Sequence, residues 1–157
     1  MLEGKPRPTI REENERVLLE AAERVFAEQG FAGATTAAIA RSAGVPKANL
    51  HYYFPTKEGL YRAVIERTLN TWLDAASSFD ASEDVCEALS AYISAKMELA
   101  REMPLASRIW SAEIMRGAPI IQDFLDTTLS QWVAKREAAV RRWIAAGKTH
   151  ARLPSRI

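Results

Sequence analysis

Apolar residues recur at helical spacing along most of the chain, and no segment shows the strict alternation of a half-buried strand. The predicted helices span 10–29, 57–79, 106–116 and 120–146, with one more that is capped by Asp80 or Ser82 and runs to Met103. Gly30 and Gly147 directly follow two of them, as expected of a residue that adopts a positive φ easily. The pattern predicts an all-α fold.

Two apolar faces indicate how these helices pack. The helix that starts at Lys57 carries an apolar stripe too long for a small N-terminal domain to cover, so we expect it to connect two domains. The stripe consists of Leu60, Tyr61, Val64, Ile65, Thr68, Leu69, Trp72 and Leu73. The following helix is expected to face the core with Val85, Leu89, Ile93, Met97 and Ala100.

The segment between the first helix and this connector predicts two short helices joined by a tight turn. A hydroxyl of Thr35 or Thr36 can cap the first of them, and Ala40 is small where the two helices cross. Gly44 can adopt the positive φ that ends this helix, and Pro46 suits the first turn of the next one. This is a helix-turn-helix, and it makes a DNA-binding regulator the first hypothesis.

The polarity of these short helices separates an inner side from an outer side. The apolar residues expected to point inward are Ile39, Val45, Leu50 and Phe54. The residues left to face outward are Lys47, Asn49, His51 and Tyr53. Pro55 is expected to end the second helix, and Thr56 is expected to cap the connector.

Positive charge is concentrated in the same segment, although the whole chain of 157 residues carries a formal charge of only +1. Residues 36–62 hold four basic side chains and one acidic one, a net charge of +3, whereas residues 10–29 hold three basic and six acidic ones, a net charge of −3. For DNA binding, this distribution matters more than the sum.

Other classes of protein find little support. The chain has no apolar run long enough for a membrane helix and no N-terminal secretory signal, and the single cysteine, Cys86, fits a reducing cytoplasm. His51 and His150 lie far apart, and the sequence lacks zinc-protease, phosphate-loop and serine-hydrolase motifs. We therefore expect no enzyme, no catalytic residue, no metal site and no cofactor.

The residues from 21 to 64, AAERVFAEQGFAGATTAAIARSAGVPKANLHYYFPTKEGLYRAV, resemble the DNA-binding domain of TetR-type transcriptional repressors. The Trp72–Leu73 pair and the segment PLASRIWSAEIMRGAP at 104–119 are similar to the subgroup of pyrimidine-catabolism regulators. His51 and Tyr53 depart from the tyrosine–tyrosine–histidine run usual in the family, so its base preference is not carried over.

The resemblance implies a repressor that binds a palindromic DNA operator as a homodimer, in the cytoplasm at the nucleoid, with the second short helix in the major groove. Lys47 and Asn49 are the first candidates for base edges, and His51 is a candidate for a base or a phosphate. Thr36, Tyr53 and Lys57 are candidates for phosphates. The predicted DNA-binding set is Thr36, Lys47, Ala48, Asn49, His51, Tyr52, Tyr53 and Lys57, with a core position as the alternative for Tyr52.

The resemblance also implies that the second domain senses a small molecule, for which a pyrimidine is the candidate. Trp72 is predicted to line the pocket because it lies on the connector helix. Arg108 and Glu113 are polar residues on an otherwise apolar helix, and they are expected either to orient a planar polar ligand or to form surface ion pairs.

The predicted organisation is a flexible arm (1–9), a helix-turn-helix domain (10–55), a helical ligand-binding and dimerisation domain (56–147) and a tail (148–157). Family members typically continue with two further helices that pair across a two-fold axis, and the sequence stops where these would begin. We therefore expect the second domain to be incomplete. The alternative function is a truncated helical ligand-binding or interaction module with impaired dimerisation and little DNA binding.

Overall fold

The structure is a computed structural model and describes residues 9–75 and 84–148. These residues form helices and connecting turns without a strand, which confirms the predicted all-α fold. The helices are α1 (Ile10–Gly33), α2 (Thr36–Ala43), α3 (Lys47–Tyr53), α4 (Lys57–Ala75), α5 (Val85–Glu102), α6 (Pro104–Met115), α7 (Gln122–Phe124) and α8 (Ser130–Ala145). A π-helical turn, Leu125–Leu129, joins α7 to α8. None of the described helices has the length and hydropathy to cross a membrane.

The first helix begins and ends as its sequence dictates. Thr9 is its N-cap: the Thr9 hydroxyl accepts from the Glu12 amide at 3.2 Å, and Glu12 accepts from the Thr9 amide at 2.7 Å. Gly30 has φ +69°, which interrupts the helix and leaves residues 31–33 as a separate last turn. The predicted arm lies outside the described residues except for Thr9.

Two later helix starts differ from the prediction. The described part of α5 is capped by Asp84, whose carboxylate accepts a hydrogen bond from the Glu87 amide at 2.8 Å. The predicted caps Asp80 and Ser82 lie outside the described residues. Positions 76–79 of the predicted connector also lie outside them. The helix predicted over 106–116 begins earlier, with Pro104 as the first residue of α6. The fixed φ and missing N–H of proline are compatible with that position.

The described residues divide into two compact units, and α4 contributes to both. The first unit contains residues 9–68 and 104–120, and the second contains 69–75, 84–103 and 121–148. The predicted stripe of α4 is buried from Leu60 to Leu69, with Trp72 and Leu73 half-buried. Arg67 of α4 pairs with Glu23 of α1 at 2.6 Å in the first unit. The domain boundaries at 10–55 and 56–147 stay predictions.

In the second unit, the predicted core face of α5 is wrong in most of its positions. Leu89, Ile93 and Met97 are 41%, 57% and 69% exposed, and Ala100 is also exposed. The face that packs is the neighbouring one, where Ala88 joins Ala139 and Trp143 in a buried cluster covered by Val85, Tyr92 and Val140. Apolar residues four positions apart lie on one side of α5, but the side that packs against α8, and is therefore buried, is a different one.

Candidate nucleic-acid interface

The turn between α2 and α3 is held by backbone geometry. Gly44 is in the left-handed conformation with φ +69°, and its amide donates to the Arg41 carbonyl at 3.1 Å. The Val45 amide donates to the Ala40 carbonyl at 3.0 Å. At the other end of α2, the Thr35 hydroxyl accepts from the Ala38 amide at 3.1 Å, so Thr35 rather than Thr36 is the cap. These bonds fix the direction in which α3 leaves α2.

Apolar contacts fix the rotation of α3 about its axis. Leu50 is fully buried and Phe54, four positions later, is nearly so, while Ile39 and Ala40 are buried on the α2 side. Val45 in the turn is half-buried. The predicted inner side is confirmed, and its burial leaves the opposite side of α3 facing outward.

The outward side begins with Lys47, Ala48 and Asn49, the first three residues of α3, and all three are exposed. The first turn contains no acidic residue, so no carboxylate of this turn opposes the approach of a phosphate. Both predicted base-reading residues, Lys47 and Asn49, are therefore exposed in the first turn of α3.

The second half of α3 is partly occupied by contacts within the first unit. The ring of His51 places Nδ1 3.3 Å from the Pro55 carbonyl, and the Tyr53 hydroxyl accepts from the Asn14 side chain at 3.2 Å. Tyr52 is 72% exposed and stacks edge-on against Tyr53 at 5.3 Å. The alternative of a core position for Tyr52 is thus wrong, because Leu50 and Phe54 take the inner positions on either side of it.

The two remaining predicted DNA contacts start helices. Thr36 is half-buried at the first position of α2. Lys57 is half-buried at the first position of α4, and its ammonium donates to the carbonyls of Phe31 at 2.8 Å and Ala34 at 3.1 Å. The sequence did not predict these bonds. They satisfy carbonyls at the C-terminal end of α1 and use two of the three ammonium donors.

The start of α1 carries carboxylates that are already paired. Hydrogen bonds from Thr9 lower the pKa of Glu12, and the guanidinium of Arg16 lowers that of Glu13. The carboxylates of Glu13 and Glu20 in turn raise the pKa of Arg16 above its usual range. The acidic character predicted for α1 is therefore partly neutralised by contacts along its own surface.

The three predicted ligand residues fall into different units. Trp72 belongs to the second unit, whereas Arg108 and Glu113 lie on α6 in the first. Arg108 is exposed, but Glu113 is fully buried, so a surface ion pair is the wrong interpretation for Glu113. Its carboxylate accepts from the Ile120 amide at 3.0 Å and lies 3.6 Å from the Arg116 guanidinium.

Tyr61 of α4 is a neighbour of Glu113 that the sequence placed only in the apolar stripe. Burial, together with the negative charge of Glu113, raises the pKa of Tyr61 to about 12. The phenol therefore stays neutral in the folded protein well above physiological pH. Within the described ranges, no group of histidine, cysteine and carboxylate side chains is arranged to hold a metal ion.

The described residues are helical, and the turn at Gly44 joins α2 to the exposed helix α3. This arrangement defines a helix-turn-helix protein. A family model described as "Bacterial regulatory proteins, tetR family" matches residues 18–64, and one described as "YcdC-like protein, C-terminal region" matches residues 65–156. The chain belongs to the tetR family of bacterial regulatory proteins.

Individual relatives agree with this assignment. The HTH-type transcriptional regulator RutR of Escherichia coli K12 is 38% identical over 133 residues, which cover 85% of this chain and 63% of RutR. A solved TetR family transcription regulator from Marinobacter aquaeolei VT8 superposes with a TM-score of 0.75 at 25% identity, covering 87% of this chain and 72% of that one. The fatty acid degradation regulator FadR from Bacillus halodurans (TM-score 0.74, 20% identity, 96% and 76% covered) shares the fold. The chain thus spans less than two thirds of the length of RutR.

Proposed function

We propose that this chain is a ligand-responsive transcriptional repressor that binds a palindromic operator in double-stranded DNA as a homodimer. In this proposal α3 enters the major groove and presents Lys47 and Asn49 to base edges, with Ala48 between them. His51, Tyr52 and Tyr53 lie further along the helix beside the DNA, and Thr36 and Lys57 lie near phosphates. The protein would act in the cytoplasm, at the nucleoid.

One observation carries the proposal: the first turn of α3 is exposed and free of acidic residues, while Leu50 and Phe54 lock the helix from behind. The family assignment supports the same interpretation, since the model matching residues 18–64 describes regulatory proteins.

The effector in this proposal is a small planar polar molecule, and a pyrimidine is the candidate because of the subgroup resemblance at 104–119. Trp72 is proposed to line its pocket, and Arg108 and Glu113 of α6 are proposed to orient the ligand. Titration of uracil against the tryptophan fluorescence of the protein tests this step. A saturable change supports a pyrimidine effector, and its absence rejects uracil.

DNA binding is tested by selecting operators from a random duplex library and measuring affinity by fluorescence anisotropy. We expect Lys47→Ala to weaken binding to the selected operator about tenfold, the loss of a good base contact. Lys135→Ala is the matched control, because Lys135 is an exposed lysine on α8, outside the interface. Failure to select any sequence, or equal effects of the two variants, would contradict the proposal.

A second candidate function is a helical interaction module with little DNA binding. It is favoured by the exposed apolar side chains of Leu89, Ile93 and Met97 on α5. Light scattering separates the two functions when combined with anisotropy. A dimer that binds DNA supports the repressor, whereas a chain that associates but binds no duplex supports the module.

A further inference from the structure

A cleft of about 640 Å³ lies in the first unit, between the end of α1 and one side of α6. Its volume falls within the range of roughly 300–1,000 Å³ that small-molecule sites occupy. The side chains that matter for its chemistry are those of Phe26, Phe31, Tyr61, Arg108, Ile109 and Arg116. The cleft contains neither Trp72 nor Glu113, and of the three residues proposed above for the effector it shares only Arg108.

One wall of the cleft is aromatic. The Phe26 and Phe31 rings each approach Tyr61 with centroids 4.9 Å apart, and they lie 6.3 Å from each other. Phe26 and Tyr61 are buried, but Phe31 is half-buried. Ile109 of α6 is buried as well, so Phe31 is the side chain of this wall that can offer its ring to a flat apolar ligand.

The rim of the cleft is cationic. The residues that line the cleft include two guanidinium groups, Arg108 and Arg116, and one carboxylate, Glu28. Arg116 lies 5.4 Å from the Phe31 ring and 3.6 Å from Glu113, whereas Arg108 is exposed and forms no ion pair with any described residue. A guanidinium in this state can offer two parallel N–H donors to an incoming carboxylate.

We propose that this cleft binds a small planar aromatic carboxylate, with the ring against Phe31 and the carboxylate on Arg108, assisted by Arg116. The aromatic wall supplies apolar contact area, and the two arginines supply the positive charge that pairs with a carboxylate. A ligand on the Phe31 ring would also contact the residue that holds the start of α4 in place, because the Phe31 carbonyl accepts a hydrogen bond from Lys57.

Isothermal titration calorimetry with 2-naphthoate tests the proposal on the whole chain. We expect saturable binding that weakens at least about tenfold in Arg108→Ala, since a charge-assisted pair is lost. Arg142→Ala is the matched control, because Arg142 is an exposed arginine of α8 in the second unit and should leave binding unchanged. Circular dichroism confirms that each variant is folded.

Two further probes separate charge from shape. Neutral 2-naphthamide should bind poorly because it lacks the carboxylate, and cyclohexanecarboxylate should bind poorly because it is not flat. Arg108→Lys should retain part of the affinity, since it keeps the charge but loses the paired donors. The absence of saturable 2-naphthoate binding, or equal binding to wild type and Arg108→Ala, would overturn the proposal.

The same titration on Lys47→Ala keeps this proposal separate from the DNA-binding function. That variant should bind 2-naphthoate normally while losing operator affinity. If the chain binds operator DNA but not 2-naphthoate, only the cleft is refuted. If it binds 2-naphthoate but no DNA, the cleft is supported and only the repressor function is refuted.

Discussion

Lys57 donates to the backbone carbonyl of Phe31 at 2.8 Å, and its ammonium also lies 4.5 Å from the centre of the Phe31 ring. A second bond to the Ala34 carbonyl places the first residue of α4 against the end of α1. The sequence predicts Lys57 as a phosphate contact. The structure gives it an additional role, in holding together the helices that support α3.

Replacement of Lys57 by methionine tests this structural role. Methionine keeps an apolar stem of similar length but leaves the Phe31 and Ala34 carbonyls without their donor. We expect the free energy of unfolding to fall by about 1.5–3 kcal/mol, as for the loss of a hydrogen bond to a charged group. Denaturant unfolding measures the change, and an unchanged midpoint would argue against the structural role.

The phosphate role of Lys57 stays a prediction, and the same variant tests it. The third ammonium donor remains available for a phosphate, so the loss of the charge should weaken binding to all sequences. The slope of log affinity against log salt concentration should become shallower by about one. If the stability falls but the slope is unchanged, Lys57 supports the fold without contacting DNA.

The helix-turn-helix is predictable from sequence because its determinants are local. Gly44 and the threonine caps act within a few residues of where they stand, Pro46 directly precedes α3 instead of lying in its first turn, and Leu50 and Phe54 follow helical spacing. Lys57 reaches carbonyls more than twenty residues away, which no local pattern contains. Its two bonds depend on how α1 packs against α4, which local spacing does not determine.

Two errors on α5 and α6 have a related cause. Leu89, Ile93 and Met97 have the spacing of a core stripe, but the position of α8 decides which face of α5 is buried. Glu113 has the polarity of a surface residue, yet the chain turns back after Gly117 and brings the Ile120 amide to its carboxylate. Burial depends on the partner element, and spacing alone does not identify it.

Gly44→Ala should destabilise the protein through the backbone alone. A methyl group at Gly44 would meet nothing within 4 Å, but φ +69° is costly for a residue with a Cβ. We expect a loss of about 1–2 kcal/mol in the free energy of unfolding. Gly44→Asn should lose less, because asparagine tolerates this conformation better.

Gly33→Ala provides the matched control for this prediction. Gly33 is the last residue of α1, does not have a positive φ, and its added methyl would make only an ordinary contact with Gln29 at 3.6 Å. Thermal unfolding should therefore show little change or a small gain. Equal losses in the two alanine variants would mean that φ at Gly44 is not the cause.

Asn49→Ala should alter sequence preference more than overall affinity. An asparagine in the first turn of α3 can pair with adenine through two hydrogen bonds, so its removal should cost about 1–3 kcal/mol of discrimination at one base pair. Anisotropy on the selected operator and its single-base-pair variants measures this. Uniform weakening across all of these duplexes would instead assign Asn49 to the backbone.

Glu113→Gln should lower the pKa of Tyr61 from about 12, because it removes a nearby negative charge while leaving the phenol buried. The fall should be partial, since burial is the larger cause. Tyrosinate absorbance during alkaline titration measures it, and Tyr61→Phe identifies which transition belongs to this residue. If the Tyr61 transition stays where it was, the charge of Glu113 does not reach the phenol.

The raised pKa of Tyr61 also fixes the direction of a stability change. In the unfolded chain a tyrosine ionises near pH 10, whereas folded Tyr61 holds its proton to about 12. The unfolded state therefore releases its proton first as the pH rises. The contribution of Tyr61 is complete below about pH 10 and is lost as the pH climbs toward 12. Tyr61→Phe should flatten this part of the curve, and an equally steep loss in that variant would assign it to other groups.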